Sequence, residues 1–277
     1  MDAGRESRYI YRTKFANKSD VLTVPSKLNA DQVAQFHKQG FLGPFEAMPT
    51  AEMNKLRGEV TALLQTKPEP YPEEGWHARL IPRHHNRFLD SALAYRLSTL
   101  PEMVAKMNSI VGEDLLLWRA HFFDKGPGAK EIPWHQDYNY WPLEPPVIIS
   151  AWLAVDRVTR ENACMQFIPG SHRKLLPHVK ATPDMAFLEM ADPEHVDTSL
   201  AIDIELEPGE FILFNERLLH HSEANTSNLQ RCGLSIRLIP PIVRVLKYDS
   251  QNHELPIVSG QDNMGFNQTG FVPPNND

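Results

Sequence analysis

The segment Trp134-His135-Gln136-Asp137-Tyr138-Asn139-Tyr140-Trp141 sets an imidazole and a carboxylate two residues apart. In an extended chain, period two turns both side chains to one face, where they can hold a divalent metal from one side. The pair alone is common and reads equally well as a polar loop. A second segment, Leu218 to Ser227, follows the apolar run Phe211-Ile212-Leu213-Phe214 and carries the adjacent His220 and His221. Either histidine would complete a set of two imidazoles and one carboxylate. Such a set leaves three metal positions open and suits Fe(II) oxygenases. Arg231 lies 11 residues beyond His220. Its guanidinium can grip a carboxylate bidentately, although an ordinary strand-end charge would read the same.

The composition agrees with that donor set. The 277 residues include 12 His and only 2 Cys, Cys164 and Cys232. A disulfide framework and a thiolate metal site are excluded, which leaves imidazole and carboxylate. Hydrophobic residues are 42% and charged residues 23%, as in an ordinary globular chain. A net charge of -7 argues against a nucleic-acid partner. The N-terminus MDAGRESRYIYRTKF lacks an apolar signal region, and no run reaches the ~18 apolar residues of a membrane span. The expectation is a cytoplasmic protein with no membrane partner; the oligomeric state is not legible.

These residues need elements to hold them. Asn29 with Gln32 forms a capping-box pattern ahead of Val33 and Phe36, and Gly40 is a natural stop. Met53, Leu56, Val60 and Leu63 recur at helical steps from Thr50, and a third helix runs from Pro101 to Gly112. Short apolar runs follow: 115–123, 147–155, 164–168, 201–206, 210–214 and 234–245. Gly126-Pro127, Pro145-Pro146, Pro169-Gly170 and Pro208-Gly209 bound them. The pattern predicts an α+β, mainly β protein: a double-sheet roll or barrel with N-terminal helices packed outside. One domain spans 1–277, with 1–113 mostly helical, 114–245 the β core and 246–277 a C-terminal tail, of which 260–277, rich in Asn, Gly and Pro, reads as loose or draped. Residues 175–199 are too long for a turn and read as a lid or insert.

At this point the residues resemble a known family. His135-x-Asp137, His220 with Ser222 and Asn225, and Arg231 look like the phytanoyl-CoA dioxygenase family, a branch of the Fe(II)/2-oxoglutarate dioxygenases. Trp152, the turn Gln166-Phe167-Ile168-Pro169-Gly170-Ser171-His172 and the opening Gln35-Phe36-His37-Lys38-Gln39-Gly40-Phe41 also match, so the resemblance spans roughly 28–245. It implies a double-stranded β-helix, a cupin-like jelly roll. It implies Fe(II) on His135, Asp137 and His220, since the family pattern is His-x-Ser. It implies 2-oxoglutarate on Arg231, Ser222 and Trp152, with His121 lining the same site, and O2 as oxidant. The implied reaction is hydroxylation of an unactivated C–H, coupled to decarboxylation of 2-oxoglutarate to succinate and CO2. Related halogenases lack the carboxylate ligand, so Asp137 favours hydroxylation.

The substrate side is read from neighbours of these motifs. Asn139 shares the inward parity of His135 and Asp137, Tyr140 follows it, and His221 adjoins a ligand. Arg79, His84, His85 and Arg87 form a basic cluster suited to an anionic group, or a solvated patch. Trp76, Trp118, Tyr138, Tyr140 and Trp141 can wall a pocket or fill a core. Without an evident basic groove for CoA, the favoured substrate is a small polar or zwitterionic metabolite: amino-acid-like, phosphonate-like or a natural product. The rivals are an acyl-CoA hydroxylase, a non-oxygenase cupin-like metalloenzyme, and a non-catalytic binding protein on the same fold.

Overall fold

A computed structural model describes residues 25–66, 84–246 and 254–274. Its helices are α1 (Ala30–Gln39), α2 (Thr50–Gln65), α3 (Ala92–Ser98) and α4 (Pro101–Val111). Its strands are β1 (Phe41–Glu46), β2 (Leu115–Lys125), β3 (Ile132–His135), β4 (Leu143–Glu144), β5 (Ile149–Ala154), β6 (Met165–Phe167), β7 (His178–Lys180), β8 (Glu189–Ala191), β9 (Ile202–Ile204), β10 (Glu210–Asn215), β11 (His220–Ser222), β12 (Arg231–Ile239), β13 (Arg244–Val245) and β14 (Ile257–Ser259). A six-stranded sheet in the order β1-β10-β5-β12-β2-β14 faces a four-stranded sheet in the order β3-β11-β6-β9. All the pairings are antiparallel. This is the double-stranded β-helix.

Period two decides which side chains meet the site. On β5, Ala151 and Leu153 pack outward with the helices, while Trp152 and Ala154 pack inward between the sheets. On β10, Phe211 and Leu213 face out and Ile212 and Phe214 face in. On β12, Cys232, Leu234, Ile236 and Leu238 join the outer core. That leaves Arg231, Gly233, Ser235 and Arg237 for the inner face. The outer core is closed by α2 and α4 through Met53, Leu56, Val60, Met103 and Met107.

The α1 capping box forms: Gln32 N donates to Asn29 Oδ1 at 2.9 Å and Asn29 N to Gln32 Oε1 at 3.0 Å. Gly40 ends the helix at φ 83°, and a Cβ there would stand 2.4 Å from His172 Nδ1. The Pro169-Gly170 turn docks on the same helix end, with Gly170 N donating to Gln39 O at 2.7 Å. Glycine is needed for both the left-handed backbone and the close approach.

Three expectations change. The first third is not only helical: β1 pairs with β10 and forms one edge of the large sheet. Phe41 and Phe45 supply strand residues that a helical reading of the preceding turn hides. The β core extends past residue 245, because β14 pairs with β2 at Leu115 and Leu116. In α2 the fourth buried position is Leu64 rather than Leu63. Both cysteines are free and buried. No helix among the described residues is long and apolar enough to cross a membrane.

Candidate metal centre

Strand register brings the histidines together. β3 and β11 are antiparallel with His220 directly opposite His135, and the two rings lie 4.1 Å apart. Asp137 sits just past β3, with Oδ1 3.5 Å from His135 Nε2 and Oδ2 4.0 Å from His220 Nε2. One ligand atom from each residue falls within 4.8 Å of the others. The ring tautomers are set from behind. His135 Nδ1 donates to Pro133 O at 2.7 Å, and His220 Nδ1 donates to Leu218 O at 2.9 Å. Each Nε2 lone pair is then free to face a metal.

Electrostatics favour the ligand forms. Burial raises the Asp137 carboxyl, but Arg237, the His135 hydrogen bond and His220 outweigh it and hold it well below the usual range. Arg237 Nη2 donates to Asp137 Oδ2 at 3.4 Å. Burial, then the neighbouring His135, lower His220 to about 4, so its imidazole is neutral. Two imidazoles and a carboxylate on one side of a buried cleft fit a divalent metal such as Fe(II).

A small cavity opens on this triad, with Phe123, Trp152, Phe187, Phe214, Arg231 and Arg237 in its wall. Arg231 is 1% exposed. It donates from Nη1 to Ala163 O at 2.6 Å and lies 5.4 Å over the Trp152 ring. Its buried Nε has no partner. Burial lowers its pKa to about 10, so it keeps its charge at neutral pH. Ser222 lines the same cavity. His121 faces inward opposite Ser235, and its ring is 4.6 Å from Phe123. Burial, Arg237, His84 and Arg119 lower it to about 3.

The remaining expected residues divide. His221 is outside the triad: it stacks on Trp134 at 4.2 Å and pairs with Gln166 Oε1 at 2.7 Å. Asn139 does not keep the inward parity. Asp137–Tyr140 winds into a 3-10 turn, which breaks period two, and Asn139 is exposed. Its amide donates to Glu189 Oε2 at 3.1 Å, and Tyr140 Oη donates to Glu189 O at 3.0 Å. Both side chains thus tie the 175–199 insert to the turn that carries Asp137. His84 stands 6.3 Å from His121, and His85 bridges to it, Nδ1 to Nδ1, at 3.3 Å. Arg87 leaves that basic cluster, because it binds Asp90, Leu63 O and Thr66 O at the end of α2. Arg79 and Trp76 lie outside the described residues.

Sequence reasoning missed Arg237, Arg119, Lys125 and Phe187. A signal existed for Arg237: Arg231-Cys-Gly-Leu-Ser-Ile-Arg-Leu alternates polar and apolar, so Arg237 shares a face with Arg231. Phe187 had none, since it reaches His135 at 4.8 Å only because the insert folds back.

A family model described as phytanoyl-CoA dioxygenase (PhyH) matches residues 36–233. The chain belongs to the phytanoyl-CoA dioxygenase family. Its relatives include a probable phytanoyl-CoA dioxygenase of Caenorhabditis elegans, 27% identical over 237 residues, covering 76% of this chain and 75% of that one. The human peroxisomal phytanoyl-CoA dioxygenase is 22% identical over 228 residues, covering 75% and 67%. Among solved structures, the apo non-heme monooxygenase ThoJ superposes with a TM-score of 0.72 at 24% identity, covering 88% of both chains. CytC3 with Fe(II) and alpha-ketoglutarate superposes with a TM-score of 0.70 at 24% identity, covering 89% of this chain and 97% of that one. These likenesses establish the shared fold. The two histidines come from neighbouring strands of the four-stranded sheet, and the aspartate lies just past one of them.

Proposed function

We propose that the protein is an Fe(II)/2-oxoglutarate-dependent hydroxylase of an unactivated C–H in a small polar or zwitterionic metabolite. The observation that carries this reading is the triad, with both Nε2 atoms turned to the Asp137 carboxylate, in one cavity with the buried, half-spent Arg231. When bound, the metal and 2-oxoglutarate supply the activation of O2, coupled to release of succinate and CO2. His135, Asp137 and His220 hold the metal. Arg231, Ser222 and Trp152 receive the far carboxylate of 2-oxoglutarate. Arg237 keeps Asp137 ionised and aimed. Because Asp137 fills the third protein position, a halide has no vacated ligand site, which favours hydroxylation.

Several features support a small substrate with an anionic end. Arg119 and Arg237 are paired opposite each other on β2 and β12, stacked over Trp118 at 4.4 Å and Trp141 at 4.8 Å. Phe187 and Tyr140 close over His135.

The test is succinate formation with Fe(II), 2-oxoglutarate and ascorbate across a panel of amino acids, phosphonates and acyl-CoAs. Wild-type activity in His135→Ala and Asp137→Ala would refute the metal site. Turnover of acyl-CoA alone would refute the small-metabolite reading.

A further inference from the structure

β2 and β12 place Lys125 directly opposite Arg231. Like charges facing across a strand pair repel, and these two are 5% and 1% exposed. The Lys125 ammonium donates to Ser222 Oγ at 2.9 Å, to Ser222 O at 3.3 Å and to Glu223 O. An ammonium has three N–H bonds, so Lys125 keeps none for a ligand. The Ser222 hydroxyl is different. It accepts from Lys125, so its own hydrogen must turn away from the ammonium, towards the cavity that Ser222 lines. Arg231 also keeps donors in reserve: among the described residues only Nη1 is committed, to Ala163 O, and the buried Nε has no partner. Two unspent donors therefore line one cavity, with a second cation behind them.

We propose that Lys125 is a positioning residue for the distal carboxylate of the co-substrate: it turns the Ser222 hydroxyl into a donor and adds a second positive charge beside Arg231. This rests on the 2-oxoglutarate reading above. It accounts for a buried cation pair that costs the protein stability: burial, then Arg231, pull Lys125 down to about 7. A carboxylate at Arg231 relieves that repulsion.

The test is equilibrium binding under nitrogen, read by calorimetry on the Fe(II)-loaded protein. The ligands are 2-oxoglutarate and 2-oxobutyrate, which lacks the distal carboxylate. Lys125→Met should raise the 2-oxoglutarate Kd about tenfold, the size of one charge-assisted hydrogen bond. It should leave 2-oxobutyrate unchanged. Ser222→Ala should raise the same Kd, and the double variant should lose less than the two combined, because Lys125 acts through Ser222. A wild-type Kd in Lys125→Met, or an equal loss for both ligands, overturns the proposal. If Lys125→Met does not fold, Ser222→Ala decides: a wild-type 2-oxoglutarate Kd there overturns it. Arg231→Met separates the two readings. If that variant also binds 2-oxoglutarate like wild type, the co-substrate assignment itself fails.

Discussion

Gly233→Ala should damage co-substrate binding without touching a proposed metal ligand. Gly233 lies on the inner face of β12, and its backbone suits any residue. The obstacle is Trp152. A Cβ at position 233 would stand 2.0 Å from Cζ2, 2.2 Å from Cη2 and 2.6 Å from Cε2 of the indole. Carbon atoms pack best about 3.5–4.0 Å apart, so the ring must retreat by roughly 1.5 Å. It has nowhere easy to go: Trp152 is 2% exposed and packed among Phe41, Phe167 and Phe214. Overpacking of this kind costs about 1–3 kcal/mol, which for a chain of this size lowers Tm by roughly 3–10 °C. The shift also withdraws the ring from Arg231, now 5.4 Å away, and the 2-oxoglutarate Kd should rise about tenfold, or 1.4 kcal/mol. Thermal unfolding and 2-oxoglutarate titration of Gly233→Ala, Trp152→Phe and the double variant provide the assay. Phenylalanine lacks the atoms that clash, so Gly233→Ala should cost about 1–2 kcal/mol less in that background. A Gly233→Ala protein with wild-type Tm and Kd, or strictly additive changes, would refute the reasoning.

Glu216→Gln tests a pH-dependent cost. Burial raises the Glu216 carboxyl from 4.5 to about 7, and its Oε2 is buried without a partner. With the folded pKa above the unfolded one, its contribution is intact below pH 4.5 and lost as pH rises through about 7. The variant should therefore match wild type in urea unfolding near pH 4.5 and exceed it by about 3 kcal/mol at pH 8; an unchanged pH slope contradicts this. Phe187→Ala removes the ring that meets His135 at 4.8 Å and Tyr140 at 5.9 Å. It should raise the substrate KM up to about tenfold and increase succinate release without product. Its 2-oxoglutarate Kd should stay at wild type, and a changed Kd would deny the insert its substrate-side role. Asn29→Ala breaks the capping box and should cost about 1 kcal/mol in chemical denaturation, with no change in 2-oxoglutarate binding.

The parts of this protein that were legible before folding are those with local causes. The capping box at Asn29, the stop at Gly40 and the apolar strand runs arise from residues a few positions apart. β1 and β14 were not legible, because each is a short edge strand whose only reason to extend is its partner, β10 or β2. Asn139 was misplaced for a related reason. Period two holds only while the chain stays extended, and the 3-10 turn at Asp137 ends it.

The donor types and spacings, His135-x-Asp137, His220-x-Ser222 and Arg231, were already present in the chain and were enough to indicate the family. Which histidine joins the triad follows from register: His220 stands opposite His135, while His221 turns to Trp134. Arg237 beside Asp137 and Lys125 behind Ser222 come from positions 100 and 97 residues away. Side chains that far apart meet only through strand pairing and sheet closure. The one-dimensional pattern therefore named the chemistry, and the tertiary structure decided its orientation, its charge balance and what closes over it.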